Sequence, residues 1–231
     1  MSRTRGGKAG CRLGASLRDR SCAGVLALLV FLAGCSTTYH PQIRPKESRQ
    51  TVPAIAELHP FEAAPGLRSG HEHYGVVADG VRPAKPSELT EAITEAIRSD
   101  LGENRVFTQV VAYHEHPDLV LTGQIGRFYE HYRPQIWTLI PWASQLAWLF
   151  GANTYQTDGA VDLTLIALSP DGQVLGRYRD KETFGETLTP NKENGPGVRL
   201  NQALTEAVHQ IRQQLVENQS ALLRAERTQT P

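Results

Sequence analysis

The chain has 231 residues, of which 40% are hydrophobic and 21% charged, a composition and length that suit one globular domain with short additional segments. Its 24 basic and 24 acidic residues give a formal net charge of zero, and the region after Gly34 is net acidic because six of the basic residues precede it. This charge balance argues against a nucleic-acid-binding protein, which needs a basic surface.

The first element is an apolar run from Ala23 to Leu32 that follows several basic residues. The run is too short to span a bilayer, and this pattern is typical of a secretory signal. Its end, Leu32-Ala-Gly-Cys35, resembles the lipobox of bacterial lipoproteins. The resemblance implies that residues 1–34 are removed as a signal peptide and that Cys35 is acylated and anchors the protein to a membrane. The alternative is a secreted or single-span protein with an incidental cysteine.

The segment after the lipobox is polar. Residues 35–51 contain Pro41 and Pro45 and several charges, so we expect a disordered or extended tether. Ser36 occupies the position at which sorting systems of the lipoprotein family commonly read an aspartate as a signal to stay in the inner membrane. The resemblance therefore implies the outer membrane, with one folded domain, residues 52–225, facing the periplasm.

The first half of this domain is predicted to hold two strands and a helix. Alternating apolar residues predict strands at 52–61 and 74–78, and Pro53 favours an edge or a strand start for the first. A helix is predicted from Ser87 to Leu101, because leucine and isoleucine recur every four residues. Gly102 suits its end.

The second half is predicted to hold four strands and a long helix. The strands are predicted at 106–111, 119–132, 161–167 and 174–184. A bulge is expected at Arg127, directly after Gly126, and the turn at Ser169–Gly172 is typical of a hairpin. The long helix is predicted to fray after Asn218 and to bury one face, formed by Leu200, Leu204, Val208, Ile211 and Leu215. The order β-β-α-β-β-β-β-α predicts a two-layer α+β domain, with two helices covering a largely antiparallel sheet of about five to six strands.

Several short motifs follow this order of elements. They are the lipobox, the opening strand Val52–Phe61, the helix end Glu95–Leu101, the dipeptide Val106-Phe107, the strand Asp118–Ile125 and the turn Pro170–Gly172. Together they resemble a broad group of small envelope lipoproteins, among them YajG-like proteins and the auxiliary lipoproteins of ABC-type lipid transport systems. The resemblance covers most of the chain after Cys35 as a pattern of elements with loose motifs. It implies a role in envelope assembly or transport, without shared catalytic residues.

An insertion at 134–157 departs from that layout. It contains all three tryptophans and no charged residue, and it separates two strands that need only a short connection. Pro141 can begin a helix there, but the apolar length is too short for a membrane span. We interpret the insertion as an exposed surface for a partner or a lipid. The residues of this surface are Trp137, Ile140, Trp142, Leu146, Trp148, Leu149 and Phe150. The alternative is that the insertion folds back and covers the sheet.

Two histidine pairs repeat one spacing, His71-Glu-His73 and His114-Glu-His116. In an extended chain, residues two apart point to the same side, so each pair offers two imidazoles. If the two loops met, the four histidines could bind a metal. Otherwise they are exposed loop histidines, and we expect no metal and no other cofactor.

The motifs of common enzyme classes are missing from the sequence. It contains no nucleophile elbow, no phosphate-binding glycine loop and no helical zinc-protease motif, so we expect no enzymatic activity. The main hypothesis is a lipid-anchored envelope protein that supports assembly or transport by binding a protein partner or lipid. The alternative is a periplasmic lipoprotein that binds a small ligand or a metal through the His-x-His loops.

Overall fold

The computed structural model describes residues 37–44, 51–64, 74–78, 81–82, 85–152, 154–189 and 195–227. The predicted signal peptide, Cys35, His71 and His73 lie outside these residues. The described residues from Thr37 onwards belong to one compact unit. None of their helices is both long enough and apolar enough to cross a membrane.

Among the described residues, five strands precede the first helix, and strands and helices follow in mixed order after it. The strands are β1 Thr37–Thr38, β2 Val52–Leu58, β3 Glu62–Ala63, β4 Gly75–Val77, β5 Val81–Arg82, β6 Phe107–Val111, β7 Leu119–Pro134, β8 Tyr155–Leu168 and β9 Val174–Leu188. The helices are α1 Pro86–Glu103, α2 Pro141–Leu149, α3 Val198–Glu217 and α4 Gln219–Arg227, and a short 3-10 helix spans Ile136–Leu139.

The main sheet has seven strands in the order β6-β2-β7-β8-β9, with β3 and β4 also paired to β7. The strands β7, β8 and β9 are antiparallel, whereas β2 is parallel to both of its neighbours and β3 and β4 are parallel to β7. The predicted α+β class is confirmed, but the sheet is mixed and has more strands than the five to six predicted. Parallel neighbours need a crossover connection, which α1 supplies between β2 and β6. The sequence pattern reveals hairpins more readily than such crossovers.

The strand β2 lies inside the sheet, and Pro53 is its second residue, which agrees with a strand start and not with an edge. Pairing with β6 is irregular between Val52 and Ile55, and β7 pairs only with the part from Ala56 to Leu58. Pro53 therefore sits where no regular ladder needs its missing N–H. The predicted strand 52–61 ends early, at Leu58, and β3 follows as a separate short strand.

A bulge interrupts the pairing of β7 with β8 where the sequence predicts one. Ile125 lies opposite Leu163 and Arg127 lies opposite Asp162, so Gly126 is the extra residue. A Cβ atom at Gly126 would come within 3.0 Å of Asp162 Cγ. Glycine thus lets the two strands approach where the bulge bends β7.

The helices α1 and α3 bury the faces that their periodicity predicts. The buried residues on α3 include Leu200, Leu204, Val208, Ile211 and Leu215, and those on α1 include Leu89, Ile93, Ile97 and Leu101. The predicted fraying after Asn218 is wrong, because α4 continues the chain. The Asn218 Nδ2 donates to the Tyr178 hydroxyl at 3.0 Å, and Leu222 is buried in the core.

A buried ion pair joins α1 to α3. The Arg212 Nη1 lies 3.4 Å from both carboxylate oxygens of Asp100, and Asn104 Nδ2 donates to Asp100 Oδ1 at 3.0 Å. Burial raises the pKa of Asp100 to about 6, although Arg212 acts in the opposite direction. The carboxyl therefore holds its proton more tightly in the folded protein than in the unfolded chain.

This pKa predicts a pH dependence of stability. A raised carboxyl pKa contributes stability that is full below the ordinary value near 4 and is lost as the pH rises through about 6. We expect the free energy of unfolding of the wild type, measured relative to Asp100→Asn, to fall across this window by up to a few kcal/mol. Urea denaturation at several pH values checks this, and a difference that stayed constant between pH 4 and 7 would contradict it.

Candidate functional site

The hairpin formed by β7 and β8 extends beyond the predicted strand ends. The two strands stay paired up to Pro134 opposite Tyr155, and Gln135 N donates to Thr154 O at 3.0 Å. The predicted insertion at 134–157 is therefore partly strand, and the connection at its centre runs from Gln135 to Thr154. This connection lies at the end of the hairpin.

The connection contains two helical segments, the 3-10 helix and α2. The Thr138 hydroxyl and N–H both bond to Gln135 O, at 2.6 and 2.9 Å, and begin the 3-10 helix. The helix α2 then begins at Pro141, as predicted, because proline favours the first turn of a helix. It ends before Gly151, which has a φ of 66°, a conformation that favours glycine. The sequence thus determines where α2 begins and ends.

Large apolar side chains of this connection are exposed. Their exposed fractions range from 41% to 83%. They are Ile136, Leu139, Ile140, Trp142, Leu146, Leu149 and Phe150, and we call this set the apolar tip. The alternative interpretation required these side chains to cover the sheet, and they do not. The side chains of Trp137 and Trp148 lie outside the part of the chain that the structure describes.

Ile136 and Leu139, which precede Pro141, were not among the predicted residues of this surface. The signal for them was present, because they belong to the same uncharged stretch. A helical periodicity counted from Pro141 cannot include them, since they lie in a separate 3-10 turn. Exposed large apolar side chains that cluster in one short stretch of chain are unusual, and large exposed apolar patches usually mark an interaction site.

Aromatic and charged side chains follow directly behind the apolar tip. Tyr132 and Tyr155 stack with ring centroids 4.8 Å apart. His131 Nδ1 lies 3.1 Å from Asp158 Oδ2, and Arg133 Nη2 lies 3.7 Å from Asp158 Oδ1. We call His131, Arg133 and Asp158 the collar. Polarity therefore changes over a few residues along the hairpin, from apolar through aromatic to charged.

A buried carboxylate connects the hairpin to α3. Glu130 Oε2 accepts from the backbone N–H groups of Gly197 and Leu200 at 3.0 and 3.1 Å, and Oε1 accepts from the Thr157 hydroxyl at 2.8 Å. Burial raises the pKa of Glu130, while these hydrogen bonds oppose the rise. Because α3 has no side-chain cap of its own, Glu130 caps its start from β7 by accepting from the N–H groups of Gly197 and Leu200. Glu130 follows Phe128 by two residues on the same strand, so both side chains point inward. A single charged residue at an inward position was the signal in the sequence.

Part of the predicted tether lies against the domain. Thr37 and Thr38 pair with Val81 and Arg82, and the Tyr39 hydroxyl donates to Asn201 Oδ1 at 2.6 Å. The Tyr39 ring contacts Phe128, with centroids 6.3 Å apart. Thr37 and Thr38 form a short strand, and hydrogen bonds to α3 hold the following residues up to Arg44 in place. Because most of this segment is polar, Tyr39 could not be recognised from the sequence as a side chain that holds it against the domain.

Comparisons with known proteins give similarities to solved structures only. No protein-family model matches the chain, and neither does any curated protein sequence. Protein XCC0632 from Xanthomonas campestris, of family DUF330, is 16% identical, with a TM-score of 0.47 over 84% of this chain and 99% of its own. A dodecameric PelC variant from Paraburkholderia phytofirmans is 9% identical, with a TM-score of 0.34 over 75% of this chain and 93% of its own.

A Caulobacter crescentus CB15 protein that is provisionally described as a lipoprotein is also similar. It is 8% identical, with a TM-score of 0.27 over 48% of this chain and 73% of its own. At these identities and TM-scores, no site or function is carried over from the neighbours. A function must therefore be argued from the residues of this chain.

Of the two histidine pairs, only His114 and His116 lie within the described residues. His114 N donates to Glu57 Oε2 at 3.1 Å, and His116 N donates to His114 Nδ1 at 3.2 Å. Glu57 Oε1 also lies 2.8 Å from His59 Nε2. These hydrogen bonds lower the pKa of Glu57, with the His114 backbone as the larger cause. Among the described residues, no group of three or more His, Cys, Asp or Glu side chains could hold a metal ion.

Proposed function

We propose that the chain is a lipid-anchored, non-enzymatic envelope protein that supports assembly or transport and binds a partner or lipid through the apolar tip. The observation that carries the proposal is the exposure of seven large apolar side chains at the end of one hairpin. Their position at the end of a long antiparallel pair lets them reach a target without unfolding the core. A protein that only needed to close the hairpin could use a short turn.

The anchor part of the proposal rests on the lipobox around Cys35 and on the short apolar run before it. An outer-membrane location facing the periplasm follows from Ser36 by the same resemblance. The proposal also includes the predicted two-layer arrangement, which the Asp100–Arg212 pair between α1 and α3 supports. With both helices on one side of the sheet, the hairpin end stays uncovered.

The first test of the proposal is the substitution Cys35→Ser. We expect it to abolish acylation and to release the protein from the membrane fraction, because the acyl chains contribute about 0.8 kcal/mol per buried methylene. Metabolic labelling with a fatty acid and fractionation of envelopes measure both effects. Cys22→Ser, in the predicted signal peptide, is the matched control and should be labelled like the wild type. Equal labelling of the Cys35 variant would refute the anchor.

A further inference from the structure

The first described residues lie at the same end of the domain as the apolar tip. The strand β4 runs parallel to β7 toward the tip, and Val77 lies opposite His131 of the collar. Val81 N donates to Ala78 O at 3.2 Å, so β5 begins close to the end of β4. The strand β5 that follows pairs Val81 with Thr37. Thr37 therefore lies near the collar end of the hairpin, because its partner Val81 is close to the end of β4.

The direction of the N-terminal segment supports this position. Tyr39 contacts Phe128 and Asn201, close to the Glu130 cap at the start of α3. Farther along the chain, Arg44 N donates to Thr205 Oγ1 at 3.2 Å, one turn deeper into α3. The segment therefore runs away from the tip as residue numbers increase, and its beginning points toward the tip.

The predicted anchor is close to this point along the chain. Cys35 precedes Thr37 by two residues, and two extended residues span at most about 7 Å. A lipid on Cys35 would hold the membrane surface close to the start of β1. Because β1 lies at the tip end, the lipid-bearing membrane and the apolar tip meet on the same side of the domain.

The chemistry of the hairpin end matches a lipid interface better than a protein surface. The stretch 134–157 carries no charge, whereas protein interfaces are enriched in arginine and have polar rims. Stacked tyrosines and then charged residues follow behind the tip. Tyrosine and tryptophan favour the headgroup region, and arginine stays in water above it. The order apolar, aromatic, charged is the order of layers met on leaving a bilayer.

We propose that the apolar tip inserts into the interfacial region of the same membrane that carries the Cys35 lipid. This deepens the proposed function, because it rests on the anchor and names the bilayer as the target. The insertion is shallow: the nine residues of α2 extend about 14 Å, against about 30 Å for the hydrocarbon core. The domain then has two attachments at one end, and the anchor keeps the tip at high effective concentration near the lipid.

The tryptophans of the chain provide the test. All three lie within 134–157, so the intrinsic tryptophan fluorescence reports on this stretch alone. The full, lipidated protein is purified from membranes and reconstituted into phosphatidylcholine vesicles with brominated or ordinary acyl chains. Bromine quenches only tryptophans that contact the acyl region. We expect the wild type to float with both kinds of vesicle and to lose most of its fluorescence in the brominated ones.

Charged variants give the controls. The double variant Leu149→Asp, Phe150→Asp should still float through its lipid but lose the quenching. Val174→Asp introduces a charge at an exposed apolar residue of β9, opposite Leu168 at the end of β8 that lies away from the apolar tip, and should keep the quenching. Near-ultraviolet circular dichroism establishes that each variant is folded, and Leu149→Gln with Phe150→Gln replaces the double variant if it is not.

The possible outcomes separate the two proposals. If the wild type floats but is not quenched, the anchor stands and membrane insertion is overturned in favour of a protein target for the tip. If the wild type does not float, the anchored function fails and the insertion with it. Quenching that persists in the folded tip variants would show that contact with the acyl region does not depend on the apolar side chains of the tip, and would also overturn the inference.

Discussion

Replacing Arg212 with methionine is expected to lower the free energy of unfolding by about 3–5 kcal/mol, the cost of leaving one member of a buried ion pair without its partner. The side chains of Arg212 and Asp100 are 4% and 2% exposed, so little water can replace the guanidinium. Denaturation in urea near pH 8, where the carboxyl is ionised, measures the effect. The loss should be smaller near pH 5, because a protonated carboxyl is less costly to bury.

Two further variants test the assignment to this pair. Lys85→Met removes the cation of an exposed pair with Glu88, 3.2 Å long, and should cost no more than about 1 kcal/mol. The double variant Asp100→Leu, Arg212→Met should recover much of the loss, because an apolar pair of similar volume needs no charge compensation. If the double variant were as unstable as Arg212→Met alone, lost packing rather than an unpaired charge would explain the result.

Leu204→Ala is expected to destabilise the domain by about 2–5 kcal/mol, because Leu204 is fully buried between α3 and the sheet and its removal leaves a cavity. The matched control is Leu149→Ala in the apolar tip, where the same substitution should change stability by less than about 0.5 kcal/mol. Thermal or urea denaturation of both variants gives the comparison. A large loss for Leu149→Ala would mean that the tip is packed against the domain.

The helices and the hairpins could be predicted because local patterns determine them. The buried faces of α1 and α3 follow from a four-residue apolar repeat, and the bulge at Gly126 follows from one break in alternation. The position of β2 could not be predicted, because its parallel partners β6 and β7 are joined to it through long connections. Strand pairing across a crossover depends on the tertiary fold and leaves no local signal.

The candidate site was predicted in part. The uncharged stretch and Pro141 marked the tip and the start of α2, but its extent depended on where β7 and β8 end. Glu130 was missed because its role requires the start of α3, 67 residues later, at the same point in space. The docking of Tyr39 was missed for the same reason, since a polar segment gives no indication of a distant hydrogen-bond acceptor.

The contacts of residues 37–44 with α3 also bear on the order in which parts of the protein fold. The hydrogen bonds of this segment to Asn201 and Thr205 join residues about 160 positions apart, and contacts this distant in sequence form late because a long loop must first close. If the chain is exported from its N-terminus and lipidated at Cys35, as proposed, the segment has no partner until α3 emerges. The lipid-modifying enzyme would then meet Cys35 before residues 37–44 bind α3, and the fold would be completed after the anchor is in place.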